Sequence, residues 1–415
     1  MPTVFTARWV LPIAQPPIRD GWVAVEDGRI LAVGRPGDTP PPGAAHHPDG
    51  PIEGAILPGL VNAHVHLELS WMRGQVPPAP SMPDWVEQLM TLRRTVSHEP
   101  AEPIADAIRE LRASGTALAG DITNTLAAYE PLADSHLSAA VFREVLGFNI
   151  ADPDAIVASI REQLDALTPM AWLRPSIVPH APYSVAPALL RAIAAVAGDA
   201  RIAIHLGESA EEIRFLRDGQ GPWRDLLTRL GVWSDTWRPP GTGPVDYVAA
   251  HGLLNDRLLA VHGLHLTDPE LRTLAAAGAT VVTCPRSNRW TGAGLPPIAR
   301  FYGSGVRVAV GTDSLASVED LNLFAELRMI RDLAPLVPAS AILASATRHG
   351  ADALGFGDEL GTIEPGRRAD LIAVTLPDHD ADVEEYLVSG IDPAAVGWLS
   401  PWPSDNTRTS TRTRT

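Results

Sequence analysis

Leu57-Pro58-Gly59-Leu60-Val61-Asn62-Ala63-His64-Val65-His66 is an apolar run that closes on two histidines. Read as a strand, its residues alternate sides, so His64 and His66 point the same way from its carboxyl end. Two neutral imidazoles on one face can grip a divalent ion. In parallel α/β folds the chemistry sits where strands run out into loops. The reading therefore demands more strands of this kind and more ligands at their ends.

From residue 102 the sequence alternates helical patterns with short apolar runs, which implies parallel strands joined by helical crossovers. Strands fit at 115–122, 138–146, 173–180, 201–206, 258–264, 279–284 and 306–313, and with 59–66 they make eight. Eight such units predict an α/β fold, a (β/α)8 TIM barrel over 58–355. Upstream, residues 3–36 read as short strands, with a hairpin turning at Asp27-Gly28, and Pro36 to Pro51 as a loop. Downstream, Leu360 to Val374 reads as strand, turn, strand. Pairing it with the N-terminal strands predicts a small β-sandwich domain formed from both chain ends, 1–57 and 356–400. The tail 401–415 closes on Thr407-Arg-Thr-Ser-Thr-Arg-Thr-Arg-Thr and is expected to be disordered. After the first barrel strand comes a long insertion, Trp71 to Arg94. It is a proline-rich loop and then a helix entered at Pro83-Asp84, the kind of segment that walls a pocket.

Composition narrows the function. The chain has 415 residues, 45% apolar and 20% charged, as expected of a globular protein. No apolar run reaches bilayer length, and the N-terminus lacks a basic segment followed by an apolar one, so neither a membrane nor an export signal is expected. A net charge of −16 argues against a nucleic-acid partner. The lone Cys284 excludes an internal disulfide and suits the cytoplasm. All 33 basic residues are arginine, so a carboxylated lysine bridging two metals is ruled out.

Other strand ends complete a site. His205-Leu206-Gly207-Glu208 ends the fifth strand, His262 the sixth and Thr312-Asp313-Ser314 the eighth. His64, His66, His205 and Asp313 form the expected metal set, one divalent ion, with zinc as first choice and iron as second. Such an ion lowers the pKa of a bound water to about 7. Glu208, three residues past a ligand, is placed to move that water's proton to a leaving group. His262 would hydrogen-bond the attacking water or the atom gaining charge, and Asp313 could share in proton transfer.

The series Pro58 to His66, His180-Ala181-Pro182-Tyr183-Ser184, His205 to Glu208, Val261-His262-Gly263-Leu264-His265, Cys284-Pro285-Arg286-Ser287-Asn288 and Gly311-Thr312-Asp313-Ser314 resembles the amidohydrolase superfamily. It is most similar to the mononuclear deaminase branch, which includes adenosylhomocysteine, aminofutalosine, guanine and cytosine deaminases and the s-triazine hydrolases. The resemblance spans nearly the whole chain and implies a metal-dependent hydrolytic deaminase of an amino-substituted N-heterocycle, such as a purine nucleoside derivative. It also implies that His180 lines the substrate pocket and that Ser287 and Asn288 border the site, Asn288 as a substrate contact. His66-Leu67-Glu68-Leu69-Ser70 and the run from Glu208 to Gly219 are most similar to aminofutalosine-deaminase-like proteins.

Two rivals stay open: a chlorohydrolase-type or other C–N hydrolase acting on a triazine-like ring, and a catalytically inactive barrel that serves as a binding protein. The expected partner is a small heterocycle, and self-association into a homo-oligomer is left open. Trp71, Met72, Trp85 and Trp290 could wall a flat ring, and Arg143 and Glu144 stand beside the pocket by position alone. His46, His47, His98, His136, His251, His349 and His379 match no motif.

Overall fold

The computed structural model describes residues 1–96, 101–377 and 382–399. The N-terminal segment supplies β1 (Thr3–Val10), β2 (Ile18–Arg19), β3 (Trp22–Glu26), β4 (Arg29–Gly34), β5 (Ala45–His46) and β6 (Ile52–Pro58). The β3–β4 hairpin turns on Asp27 and Gly28, both at positive φ (49° and 72°). That is the backbone a two-residue hairpin turn requires.

Parallel strands follow. β7 (Leu60–Val65), β8 (Thr116–Thr123), β9 (Ser138–Val145) and β10 (Leu173–Pro179) pair in chain order as one sheet. β11 (Ile202–Leu206), β12 (Leu258–His262), β13 (Thr280–Thr283) and β14 (Arg307–Val310) pair as a second. All eight runs chosen from sequence are strands, and most of their residues are buried on both faces, as helix-covered parallel sheets require. Backbone hydrogen bonds link the sheets at both edges: His205 N to His180 O (2.9 Å) and Asp313 N to His64 O (3.0 Å).

The β14 edge is built for close approach. A Cβ on Gly311 would stand 2.7 Å from both Cβ and O of His64, so only glycine lets β14 run out against β7. Asn62 Nδ2 donates to Thr312 Oγ1 (2.8 Å) and Thr312 N to Asn62 Oδ1 (3.1 Å), which holds the ends of these strands in register.

The C-terminal segment departs from expectation in one respect. β15 (Leu371–Thr375) pairs antiparallel with β6, and β16 (Val396–Trp398) with β15, so both chain ends share one sheet. The stretch from Leu360 to Asp370, however, is not a strand. Its amides bond singly to scattered partners, Ile363 N to Pro12 O, Gly366 N to Ile30 O and Ala369 N to Gly28 O. Leu360, Ile363 and Ala369 are buried there as the segment packs across strand ends, with a single bridge from Arg368 to Arg29 and no ladder.

Three helices matter for the site: α1 (Met82–Arg93), α2 (Ala210–Asp218) and α3 (Pro222–Arg229). Ser81 caps α1 and Ser209 caps α2, each accepting a backbone amide three residues on. The insertion bearing α1 packs through its own small apolar cluster, Leu69, Met72, Val76, Trp85, Leu89 and Ala316. Among the described residues no helix is long and apolar enough to cross a membrane. The expected tail, and His98 and His379, lie outside the described residues.

Candidate active site and metal centre

Six strand ends converge on one cavity of about 440 Å³. Its floor carries His66, Glu144, His180, His205, Glu208, His262 and Asp313. His64 lies just beneath, fully buried. Two of these residues leave their strands in the left-handed region, His262 at φ 76° and Asp313 at φ 64°. Non-glycine residues there cost of order 1–3 kcal/mol each, and such strain gathers at functional sites.

The donor geometry is compact. His64 Nε2 and His66 Nε2 face each other at 3.2 Å, and Asp313 Oδ1 stands 3.8 and 3.4 Å from them. Ligands about 2.0–2.1 Å from a tetrahedral ion stand about 3.3 Å apart, so this trio has the spacing of a metal face. His64, His205 and His262 form a second close trio, and Glu144, His180 and His205 a third. His64 and His205 have ring centroids 5.0 Å apart, edge to face. Buried His64 Nδ1 has no hydrogen-bond partner.

Burial holds His64, His66 and His262 below the ordinary imidazole pKa, with neighbouring imidazoles adding to the effect at each. These rings are therefore neutral, the form that binds a metal. His205 goes the other way. Burial would lower it, but Glu144, Glu208 and Asp313 together push it up to about 9. For Asp313, His66, His262 and the Ser287 hydroxyl overcome burial and hold the carboxyl low. The neutral imidazoles of His64 and His66 and the low-pKa carboxylate of Asp313 are donors of the kind a divalent ion takes, and the site fits such an ion on that ground.

Glu208 is 2% exposed, and burial lifts its carboxyl to about 8 against the pull of His205. Its Oε1 lies 3.3 Å from His262 Nε2, and its Oε2 is buried without a hydrogen bond. Asn288 Nδ2 lies 2.9 Å from His262 Nδ1. An amide nitrogen only donates, so Nδ1 accepts and neutral His262 carries its proton on Nε2, which stands 3.0 Å from His205 Nδ1 and 3.3 Å from Glu208 Oε1.

Asn288, expected as a substrate contact, is fully buried, does not line the cavity and holds the His262 ring from behind. Ser287 Oγ donates to Asp313 Oδ2 at 2.7 Å. His180 does line the cavity, with Nδ1 2.6 Å from Ser184 Oγ, and burial lowers it to about 4. Of the four residues expected to wall a ring, Trp85 reaches the cavity and Trp71, Met72 and Trp290 do not. The Trp290 indole N–H donates to Val76 O. Glu144 lines the cavity as its position suggested, whereas Arg143 turns back to donate to Glu144 O. His251 and His349 bond to backbone carbonyls outside the cluster.

Sequence reading missed the carboxylates that hold the floor together. Glu68 accepts from Thr123 Oγ1, Asn124 N, Thr125 N and Thr125 Oγ1, fastening the loop after β8. Asn124 Nδ2 then donates to Glu144 Oε2 (2.9 Å), whose Oε1 is 3.4 Å from His205 Nε2. Glu212 accepts the amides of Gly207 and Glu208 (2.9 and 3.1 Å), fixing the backbone that carries Glu208. Glu68 and Glu212 were visible only as acids two and four residues past site residues, too weak a signal to select them.

The family model for the amidohydrolase family matches residues 55–398. A 5-methylthioadenosine/S-adenosylhomocysteine deaminase from Moorella thermoacetica is 30% identical over 387 residues, covering 88% of this chain and 84% of that protein. Among solved structures, an adenosine deaminase from Xanthomonas campestris with bound zinc superposes with a TM-score of 0.79 at 29% identity, covering 95% of this chain and 90% of that one. Helicobacter pylori aminofutalosine deaminase, in complex with methylthio-coformycin, also gives 0.79, at 25% identity, covering 93% and 95%.

Proposed function

The chain belongs to the amidohydrolase family, and from that premise we propose that it is a metal-dependent hydrolytic deaminase of a purine nucleoside derivative. Relatives named as deaminases of 5-methylthioadenosine, S-adenosylhomocysteine and adenosine support the substrate class. The observation that carries the reading is the placement of the Glu208 carboxyl, 3.3 Å from His262 Nε2, beside the donor trio His64, His66 and Asp313.

In this reading His64, His66, His205 and Asp313 hold one divalent ion, zinc by analogy with the Xanthomonas structure. Such an ion supplies acidified water and positive charge to the reacting ring. Glu208 takes the proton from the water that adds to the amine-bearing carbon and returns it as ammonia leaves. His262 donates Nε2–H to the adding oxygen. His180, at the cavity wall, meets the ring.

The same proposal includes the architecture. The two parallel sheets close as a (β/α)8 barrel over 58–355, supported by the backbone bonds at both edges. Residues 1–57 and 356–400 form the small β-sandwich domain, supported by the β6–β15 pairing. A lone, buried Cys284 suits a cytoplasmic setting.

The test is ammonia release from adenosine, methylthioadenosine, adenosylhomocysteine, aminofutalosine, guanine, cytosine and an aminotriazine by zinc-loaded protein, with Glu208→Gln alongside. Turnover of a purine nucleoside that vanishes in the variant supports the reading. Release of chloride from a chlorotriazine, with no ammonia from any purine, would replace it.

A further inference from the structure

Behind the floor, one short helix serves two of its residues at once. α4 (Pro285–Trp290) carries Ser287, whose Oγ donates to Asp313 Oδ2 at 2.7 Å, and Asn288, whose Nδ2 donates to His262 Nδ1 at 2.9 Å. Asp313, a metal ligand in the deaminase reading, and the tautomer of His262 therefore both depend on where this helix sits. Six residues are too few to hold a helix in place by its own hydrogen bonds. The position of α4 is set by what grips it from outside.

The grip is at its N-terminus. The first turn of a helix leaves amides without internal acceptors. At α4 the cap residue is Cys284, which makes no side-chain capping bond, and Pro285 has no N–H to give. Arg286 N is thus the first amide that needs an acceptor, and a carboxylate oxygen from 40 residues farther along the chain, Glu326 Oε2, takes it at 3.1 Å. Glu326 stands on α5 (Leu323–Leu333) and is fully buried. The Arg286 side chain closes the clasp: its Nη1 donates to Asp320 Oδ1 at 2.8 Å, and its Nε lies 3.6 Å from Glu326 Oε1. A carboxyl group is costly to bury, and Glu326 lines no part of the catalytic cavity, so its contact with α4 is what the burial serves.

Resting on the deaminase reading, we propose that Glu326 is a positioning residue for the reaction, a cap supplied from α5 that fixes α4 and, through it, the Ser287–Asp313 and Asn288–His262 bonds. What matters is the reach of its oxygen to Arg286 N, not its charge. Arg286 keeps Asp320 as a partner when the charge at 326 is removed.

Two conservative variants separate reach from charge. Glu326→Gln keeps the length of the side chain and an acceptor oxygen, whereas Glu326→Asp keeps the charge and draws the oxygen back by one methylene. Outer partners of metal ligands are worth about 10–100-fold in metal affinity or activity, so Glu326→Asp should weaken zinc about tenfold in chelator competition and lower kcat about tenfold. KM should move less than about twofold, since the bonds lost act on the reacting groups and not on ground-state binding. Glu326→Gln should stay within about twofold of wild type in both measurements. In a Ser287→Ala, Asn288→Ala double variant, where the bonds that α4 delivers are already gone, adding Glu326→Asp should cost less than about twofold more. A full tenfold further loss in that background would overturn the inference. So would Gln and Asp behaving alike, or Gln failing where Asp works, for Glu326 would then serve folding or charge pairing alone. If the double variant fails to fold, the comparison of Gln with Asp decides. Wild-type protein that binds zinc but releases no ammonia from any substrate would remove the deaminase reading, while the zinc measurements still judge Glu326. Wild-type protein that holds no zinc would sink both.

Discussion

The floor and the roof of one cavity are held by opposite means. The floor is made of strand ends whose ionisable side chains are fixed by bonds from fully buried partners: Asn288 on His262, Ser287 on Asp313, Glu212 on the backbone of Glu208. The roof, α1 and α3, offers apolar side chains. α1 rests on a small satellite cluster, and an exposed ion pair, Arg229 to Glu87 at 3.3 Å, joins the two helices. Buried, charge-assisted hydrogen bonds define positions to fractions of an ångström, as proton transfer demands. Apolar packing tolerates change in shape, as a wall selecting among substituents needs. Chemistry should therefore be lost through the floor and selectivity through the roof.

The hardest break is at Glu208. Glu208→Gln should lower kcat by about 10²–10⁴-fold, the worth of a positioned acid–base group, while zinc content stays unchanged. A variant that turns over normally would remove Glu208 from proton transfer. His64→Ala should lower zinc affinity by more than about 100-fold, beyond what loss of an outer partner costs, measured by chelator competition. Zinc bound as tightly as in wild type would exclude His64 from the ligand set.

Glu68→Ala probes the floor's scaffold. It leaves four donors without their acceptor, one buried and three part-buried, and a loss of about 2 kcal/mol in denaturant unfolding is expected. Glu212 gives a pH signature. Burial lifts its carboxyl to about 7 from an ordinary 4.5, against two amide bonds that oppose the rise. Between these values the folded protein keeps a proton that the unfolded chain has lost, so stability falls as pH rises from about 4.5 to 7. In Glu212→Gln that decline in melting temperature should be shallower, by about 2 °C across the window; identical slopes would show that Glu212 does not titrate there. The smallest effect belongs to the roof's surface pair. Glu87→Gln removes a link between two half-exposed groups, worth at most about 1 kcal/mol, and should move KM less than twofold. A large shift would mean that the two helices depend on each other more than their packing implies.

What was legible in the sequence followed from period and position. Apolar runs placed all eight parallel strands, because strands buried on both faces must be apolar throughout. His64, His66, His205, Glu208, His262 and Asp313 were found because strand ends in such folds carry chemistry, and a residue's place at an end is a local property. Of the strand, turn and strand expected from Leu360 to Val374, the turn and the second strand form and the first strand does not, because a few apolar residues do not distinguish a ladder from a segment lying across one.

Sequence alone determined the strand order, the imidazoles and carboxylates at the mouth, and the lack of lysine that rules out a bridging carbamate. Only the tertiary structure decided that Asn288 bonds His262 outside the cavity, that Glu68 and Glu212 brace the floor, and that α1 and α3 turn apolar faces toward one cavity. The reason is distance along the chain. Glu68 meets its loop across 55 residues or more, and α1 stands over a floor that closes with Asp313, so no local pattern records which partner each will find.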